Sequence, residues 1–232
     1  MKKGMKLMAC CLLLSMAGIA TAQNNAHEWA NFKRYAQQNA QLIADGTSTG
    51  KVVFMGNSIT EGWANQHPDF FEKNGYIGRG IGGQTSYQFL LRFREDVISL
   101  SPSIVVINAG TNDVAENTGP YNEDYTFGNI ASMVEMAQAN GIKVILTSTL
   151  PSAKFGWNPK ITDAPQKIQA LNRRVKAYAE EKGIPYVDYY AQMVRPSDQA
   201  QKPEYTSDGV HPNSQGYDVM EALIKPVIEK LR

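Results

Sequence analysis

Four short β-branched runs, apolar nearly throughout, alternate with longer segments of helical spacing, and this alternation limits the chain to few architectures. The runs are Lys51–Met55 (KVVFM), Ser103–Asn108 (SIVVIN), Ile142–Thr149 (IKVILTST) and Pro185–Tyr189 (PYVDY). Continuous apolar character, rather than every second position, marks strands buried on both faces. Tyr87–Leu100, Asp124–Asn140 and Asp163–Lys182 lie between them and close in Ser-Pro or in Asn-Gly and Lys-Gly, the signals of helix ends. A fifth, weaker strand is expected over Tyr76–Arg79, a helix over Ala26–Ala44, and a closing helix over Ser214–Leu231 kinked at Pro226. Parallel strands need right-handed crossovers, so the expected fold is α/β: one mostly five-stranded parallel sheet between two helical layers. No repeat or interdomain linker divides the chain, and residues 23–232 are expected to form one domain.

The amino end is read separately. Lys2, Lys3 and Lys6 precede an apolar run from Leu7 to Ala20, and Ala20-Thr21-Ala22 has the small-x-small form that signal peptidase cleaves after. Residues 1–22 are therefore expected to be a signal peptide, and the protein to be exported to a periplasmic or extracellular space. The run is too short for a membrane span, which needs about 20 residues. Leu7-Met8-Ala9-Cys10 also has the form of a lipoprotein cleavage box, but it leaves no apolar segment before it, so a lipid anchor at Cys10 is the lesser alternative. Both cysteines, Cys10 and Cys11, leave with the signal, so the exported chain has no disulfide and no thiol nucleophile. Removal also takes three lysines and no acidic residue, turning a formal charge of +1 slightly negative. No later basic run tracks a phosphate backbone, and nucleic acid is not expected as a partner.

In open α/β sheets, ligands bind where loops leave the carboxyl ends of the strands. After the first strand comes Gly56-Asn57-Ser58-Ile59-Thr60-Glu61-Gly62, in which Ser58 is either a helix N-cap or a nucleophile. The second loop, Gly78-Arg79-Gly80-Ile81-Gly82-Gly83, formally matches a dinucleotide-binding turn but sits in the second β unit. It is better read as backbone that approaches a ligand closely and offers N–H groups. The third is Gly110-Thr111-Asn112-Asp113, and the fourth Asp208-Gly209-Val210-His211-Pro212-Asn213. His27 and His67 have the setting of ordinary surface residues. Asp208 can reach the His211 imidazole across a Gly-containing turn, either to orient a catalytic base or to cap the last helix.

A Ser in the first loop, a close-approach Gly in the second, an Asn in the third and Asp-x-x-His before the last helix together resemble the four blocks of the SGNH hydrolase superfamily, the GDSL-like esterases, lipases and acylhydrolases. The resemblance spans Lys51–Tyr217 and implies a flavodoxin-like three-layer α/β/α sandwich. It implies Ser58 as nucleophile, His211 as base and Asp208 as its orienter, with the Ser58 and Gly83 amides and the Asn112 side chain as oxyanion hole. One departure stands in the first block, where the family usually has Gly-Asp-Ser and this chain has Gly-Asn-Ser. Gly-x-Ser-x-x-x-Gly and the two-residue gap between Asp208 and His211 are also unlike the α/β-hydrolase pattern.

The expected activity is that of an exported serine esterase removing a short acyl group, acetyl foremost, from a small-molecule or glycan ester through an acyl-enzyme. No lid-like apolar helix interrupts the blocks. The loops Val114–Thr126, Pro151–Pro165 and Arg195–Ser207 are polar with scattered aromatics (Tyr121, Tyr125, Phe155, Trp157, Tyr205) suited to stacking on sugars. Asn57 and Trp157 are further candidates for substrate contact. No cofactor is called for, and no His/Asp/Glu spacing announces a metal site. The alternatives are a lysophospholipase- or thioesterase-type acylhydrolase on lipids, and a non-catalytic glycan-binding protein of the same fold, which would lack a catalytic element where this sequence lacks none.

Overall fold

The computed structural model describes residues 25–232; the expected signal segment, with Cys10 and Cys11, lies outside them. Strands β1 (Val52–Gly56), β2 (Tyr76–Gly80), β3 (Ile104–Ile107), β4 (Lys143–Thr147) and β5 (Tyr186–Val187) form one parallel sheet in the order β2-β1-β3-β4-β5. This is the flavodoxin-like order, whose topological switch point lies between β1 and β3. Met55 is in register with Ile107 there, so the loops leaving both strands emerge side by side.

Alternate strand residues feed opposite faces, as the two-residue period of a strand requires. Val53, Met55, Val105, Ile107, Val144 and Leu146 pack against α5 (Ser86–Asp96), α7 (Glu123–Ala139) and α8 (Ala164–Lys182). Val52, Phe54, Ile104, Val106, Ile145 and Val187 pack against α3 (Ser58–Gln66), α4 (Pro68–Asn74), α9 (Tyr189–Met193) and α10 (Ser214–Leu231). The three-layer sandwich expected from the sequence is therefore present. A short helix, α6 (Thr111–Val114), follows β3, and two 3-10 turns lie at Ile98–Leu100 and Pro203–Tyr205. Pro226 sits inside α10 without ending it. Among the described residues, no helix is long and apolar enough to cross a membrane.

The amino-terminal helix departs from expectation. It is two helices, α1 (Asn25–Ala30) and α2 (Lys33–Ala44), broken at Asn31, whose φ of 53° is left-handed and ends the first. Helix α2 packs against α5 and the Ile98–Leu100 turn, and its Tyr35 and Asn39 side chains reach edge strand β2, whose Arg79 is buried. The Arg79 guanidinium donates through Nε (2.9 Å) and Nη2 (2.7 Å) to Asn39 Oδ1 and covers the Tyr35 ring. Burial pulls the Arg79 pKa down to about 10, partly offset by Asp96.

Candidate active site

Ser58 is the first residue of α3, but it is not the cap. Asn57 takes that place: its side-chain oxygen accepts from the Ile59 N–H at 3.0 Å. The capping alternative for Ser58 is thereby removed, and its hydroxyl turns to His211, donating to Nε2 at 2.9 Å. Asn57, also a candidate for substrate contact, is 1% exposed and has its side-chain oxygen engaged by the helix end. A cap needs only an acceptor oxygen, which Asn and Asp both supply. This explains how Gly-Asn-Ser can stand for Gly-Asp-Ser.

His211 Nδ1–H donates to Asp208 Oδ2 at 2.6 Å, while Asp208 Oδ1 accepts the backbone amides of Val210 and His211, each at 2.8 Å. The last helix is capped instead by Asn213, whose Oδ1 accepts from Gly216 N–H at 3.0 Å, so Asp208 is not a helix cap. Burial pushes the Asp208 carboxyl up, but the His211 ring N–H and the two amides outweigh it and hold the group below the usual carboxylate range. The result is a continuous relay from Asp208 through His211 to Ser58. His211 and Asp208 have side chains 38% and 49% exposed, so the site opens to solvent.

The second loop passes against the nucleophile. A side chain on Gly80 would have no room beside the Asn57 carbonyl and the Glu61 amide, and one on Gly82 would lie 3.7 Å from Ser58 Cβ. Gly82 N–H donates to Glu61 Oε2 at 2.8 Å, and Glu61 Oε1 is paired with Arg34 at 2.9 Å. Gly83 has a φ of +76°, and a Cβ there would meet open space. Among the described residues its N–H has no acceptor, and the first-turn N–H of Ser58 has none within its helix. From the third loop, buried Asn112 donates one amide hydrogen to Gln84 O at 2.9 Å, leaving the second for another acceptor. Asp113 beside it is buried and accepts from Ser86 N–H at 3.1 Å and from the Ser86 hydroxyl, tying this loop to the start of α5. Burial raises the Asp113 pKa against these bonds.

Of the aromatic loop residues, Trp157 alone stands against the relay among the described ring pairs, 6.3 Å between ring centroids from His211 and half-exposed. Phe155 is buried beneath it, 5.2 Å away, and Tyr121 packs against a small cluster that Phe155 shares with Val114, Ile161, Ile168 and Val210. His67 is not an ordinary surface residue. Its side chain is 14% exposed, with Nδ1 2.7 Å from Glu221 Oε1 and Nε2 2.8 Å from Ser214 Oγ. His67, Asp218 and Glu221 bring ligand-type atoms within 4.8 Å of one another. Both ring nitrogens are already engaged, so the group acts as a lock between the α3–α4 junction and α10. Separations of 147 and 154 residues hid it in the sequence.

Comparison with known proteins bears on the family and the fold. The model of the GDSL-like lipase/acylhydrolase family matches residues 54–219. A GDSL-like lipase of Bacteroides thetaiotaomicron is 66% identical with a TM-score of 0.83, over 88% of this chain and 99% of that one. A Bacteroides fragilis structure described as an acylhydrolase is 68% identical with a TM-score of 0.85, again over 88% and 99%. An acetylxylan esterase of Xylanibacter ruminicola is 23% identical over 77% of this chain, which spans only 43% of that longer protein.

Proposed function

The chain belongs to the GDSL-like lipase/acylhydrolase family, and we propose that within it this protein is a carboxylic ester hydrolase using Ser58, His211 and Asp208. The observation that carries the reading is the unbroken Asp208–His211–Ser58 relay beside a glycine loop with an uncommitted N–H. In the first half-reaction Ser58 Oγ attacks the ester carbonyl carbon while its proton passes to His211 Nε2. The tetrahedral oxyanion is held by the Ser58 and Gly83 amides and Asn112 Nδ2. His211 then protonates the departing alkoxide, leaving acylated Ser58. Water attacks that acyl group with its proton passing to His211, and the acid leaves as Ser58 regains its proton.

Asn112→Ala tests the oxyanion assignment separately from the nucleophile. Turnover should fall about 10²- to 10³-fold, the usual cost of one donor. A fluorophosphonate should still label Ser58, only more slowly. Unchanged turnover in this variant would remove Asn112 from the hole.

The substrate proposed is a small acyl ester, acetyl foremost, on a sugar or polysaccharide. Support comes from the open site, from the half-exposed Trp157 face beside His211, and from the likeness to an acetylxylan esterase. Export through residues 1–22 belongs to the same reading, since polymeric acetylated glycans lie outside the cytoplasm. Across p-nitrophenyl esters from acetate to decanoate, kcat/KM should be highest at acetate, and acetate should be released from acetylated xylooligosaccharides. Faster cleavage of octanoate or decanoate would overturn the small-acyl assignment in favour of a lipid acylhydrolase.

A further inference from the structure

The oxyanion loop has a weakness written into its sequence. Gly82-Gly83 carries no Cβ on either side of the peptide that presents the Gly83 N–H, and such a peptide turns over easily. A turned peptide would offer a carbonyl to the developing oxyanion. The peptides on either side are therefore the ones that must be held. On one side Glu61 accepts the Gly82 N–H at 2.8 Å. On the other, Asn117 Nδ2 donates to Gly83 O at 3.0 Å.

Asn117 is not a bystander anchored by one bond. Its own N–H donates to Asn112 O at 3.0 Å, joining it to the residue that supplies the side-chain oxyanion donor. Its Oδ1 accepts the Trp157 indole N–H at 2.8 Å. Trp157 is seated on buried Phe155, and its loop is pinned by Asn158 Nδ2, which donates to Ala115 O at 2.9 Å. One exposed amide thus joins the wall beside His211, the Gly83 peptide and the Asn112 backbone.

We propose that Asn117 is a positioning residue of the oxyanion hole, fixing the Gly83 peptide and relaying the placement of Trp157 to it. The proposal rests on the ester-hydrolase reading above and gives a role to a residue whose side-chain bonds run to Gly83 O and the Trp157 indole. It makes Trp157 more than a stacking face: the indole N–H, and not only the ring, contributes to turnover.

The test uses p-nitrophenyl acetate, which has no sugar to stack, and three variants. Asn117→Asp is isosteric and keeps an acceptor for Trp157 but cannot donate to Gly83 O. It should lower kcat about 10- to 10²-fold, the scale of a displaced catalytic group, with KM within about threefold. Inhibition by phenylboronic acid, whose Ser58 adduct places an oxygen in the oxyanion hole, should weaken by a similar factor. Trp157→Phe keeps a ring and loses only the N–H, and should lower kcat in the same direction by about three- to tenfold, a fraction of that cost. Wild-type kcat and boronate affinity in Asn117→Asp, or a loss confined to KM, would overturn the proposal. Ser58→Ala is the control that separates the two levels. If it stays active, the ester-hydrolase reading itself fails. If it is inactive while Asn117→Asp matches wild type, only the positioning role fails.

Discussion

Ser58→Ala should lose about 10⁶-fold in turnover, the scale of removing the nucleophile from a serine hydrolase, because the acyl-enzyme can no longer form. The fold should survive the change. The cap of α3 is Asn57, not Ser58, so the substitution deletes one hydrogen bond to a part-exposed imidazole and leaves the helix start intact. Such a loss, about 1 kcal/mol or less, corresponds to a thermal shift of about 2–4 °C or less in a chain of this size. A fluorophosphonate should label wild-type protein at Ser58 and leave the variant unlabelled. Full activity in Ser58→Ala, or labelling at another residue, would overturn the assignment. Ser214, with its own His67–Glu221 partners, is the alternative position such a result would point to.

What the sequence made legible follows from where each signal is stored. The central strands are buried on both faces, so their β-branched runs stand out without knowledge of their neighbours. Strand β2 was faint because it carries Gly78, Arg79 and Gly80, residues that resemble a loop until Asn39 and Tyr35 cover the guanidinium. The helix expected over Tyr87–Leu100 ends at Asp96 and resumes as a 3-10 turn, and β5 is only Tyr186–Val187. Position at the strands' carboxyl ends and before the last helix marked the four loops. The roles expected of Ser58, Gly83, Asn112, Asp208 and His211 came from the resemblance of those loops, taken together, to the family's blocks. Asn57 shows the limit of residue type: a polar residue beside a nucleophile can face the ligand or the helix end, and the bond from Ile59 N–H turns its oxygen to the helix end. Glu61 and Asn117 were missed because their partners are main-chain atoms of Gly82 and Gly83, which leave no trace in residue type. For Glu61 a signal did exist: it lies three positions after Ser58 on the same helix, so both side chains share a face.

Asp208→Asn should cost up to about 10⁴-fold in turnover, as the equivalent change does in the serine-protease triad, and the hydrogen bonds of the Asp208 turn explain why. Oδ1 accepts the amides of Val210 and His211, which can be satisfied only by an oxygen. Asn at this position therefore keeps its oxygen there and turns its NH₂ toward His211 Nδ1. That nitrogen must then accept, the ring proton moves to Nε2, and Nε2 can no longer take the proton of Ser58. The effect should be seen in kcat with little change in thermal midpoint, because the turn keeps its amide bonds. The pH dependence has a fixed sign. With its pKa held below the ordinary carboxylate value of 3.8, Asp208 is ionised throughout the neutral range. Its contribution is present above that value and lost only as pH falls through the lowered pKa. The deficit of Asp208→Asn relative to wild type should therefore be large at pH 6 to 8 and should narrow only in strong acid. A loss under tenfold at pH 7 would reduce Asp208 to a turn-forming residue and leave His211 without an orienting partner.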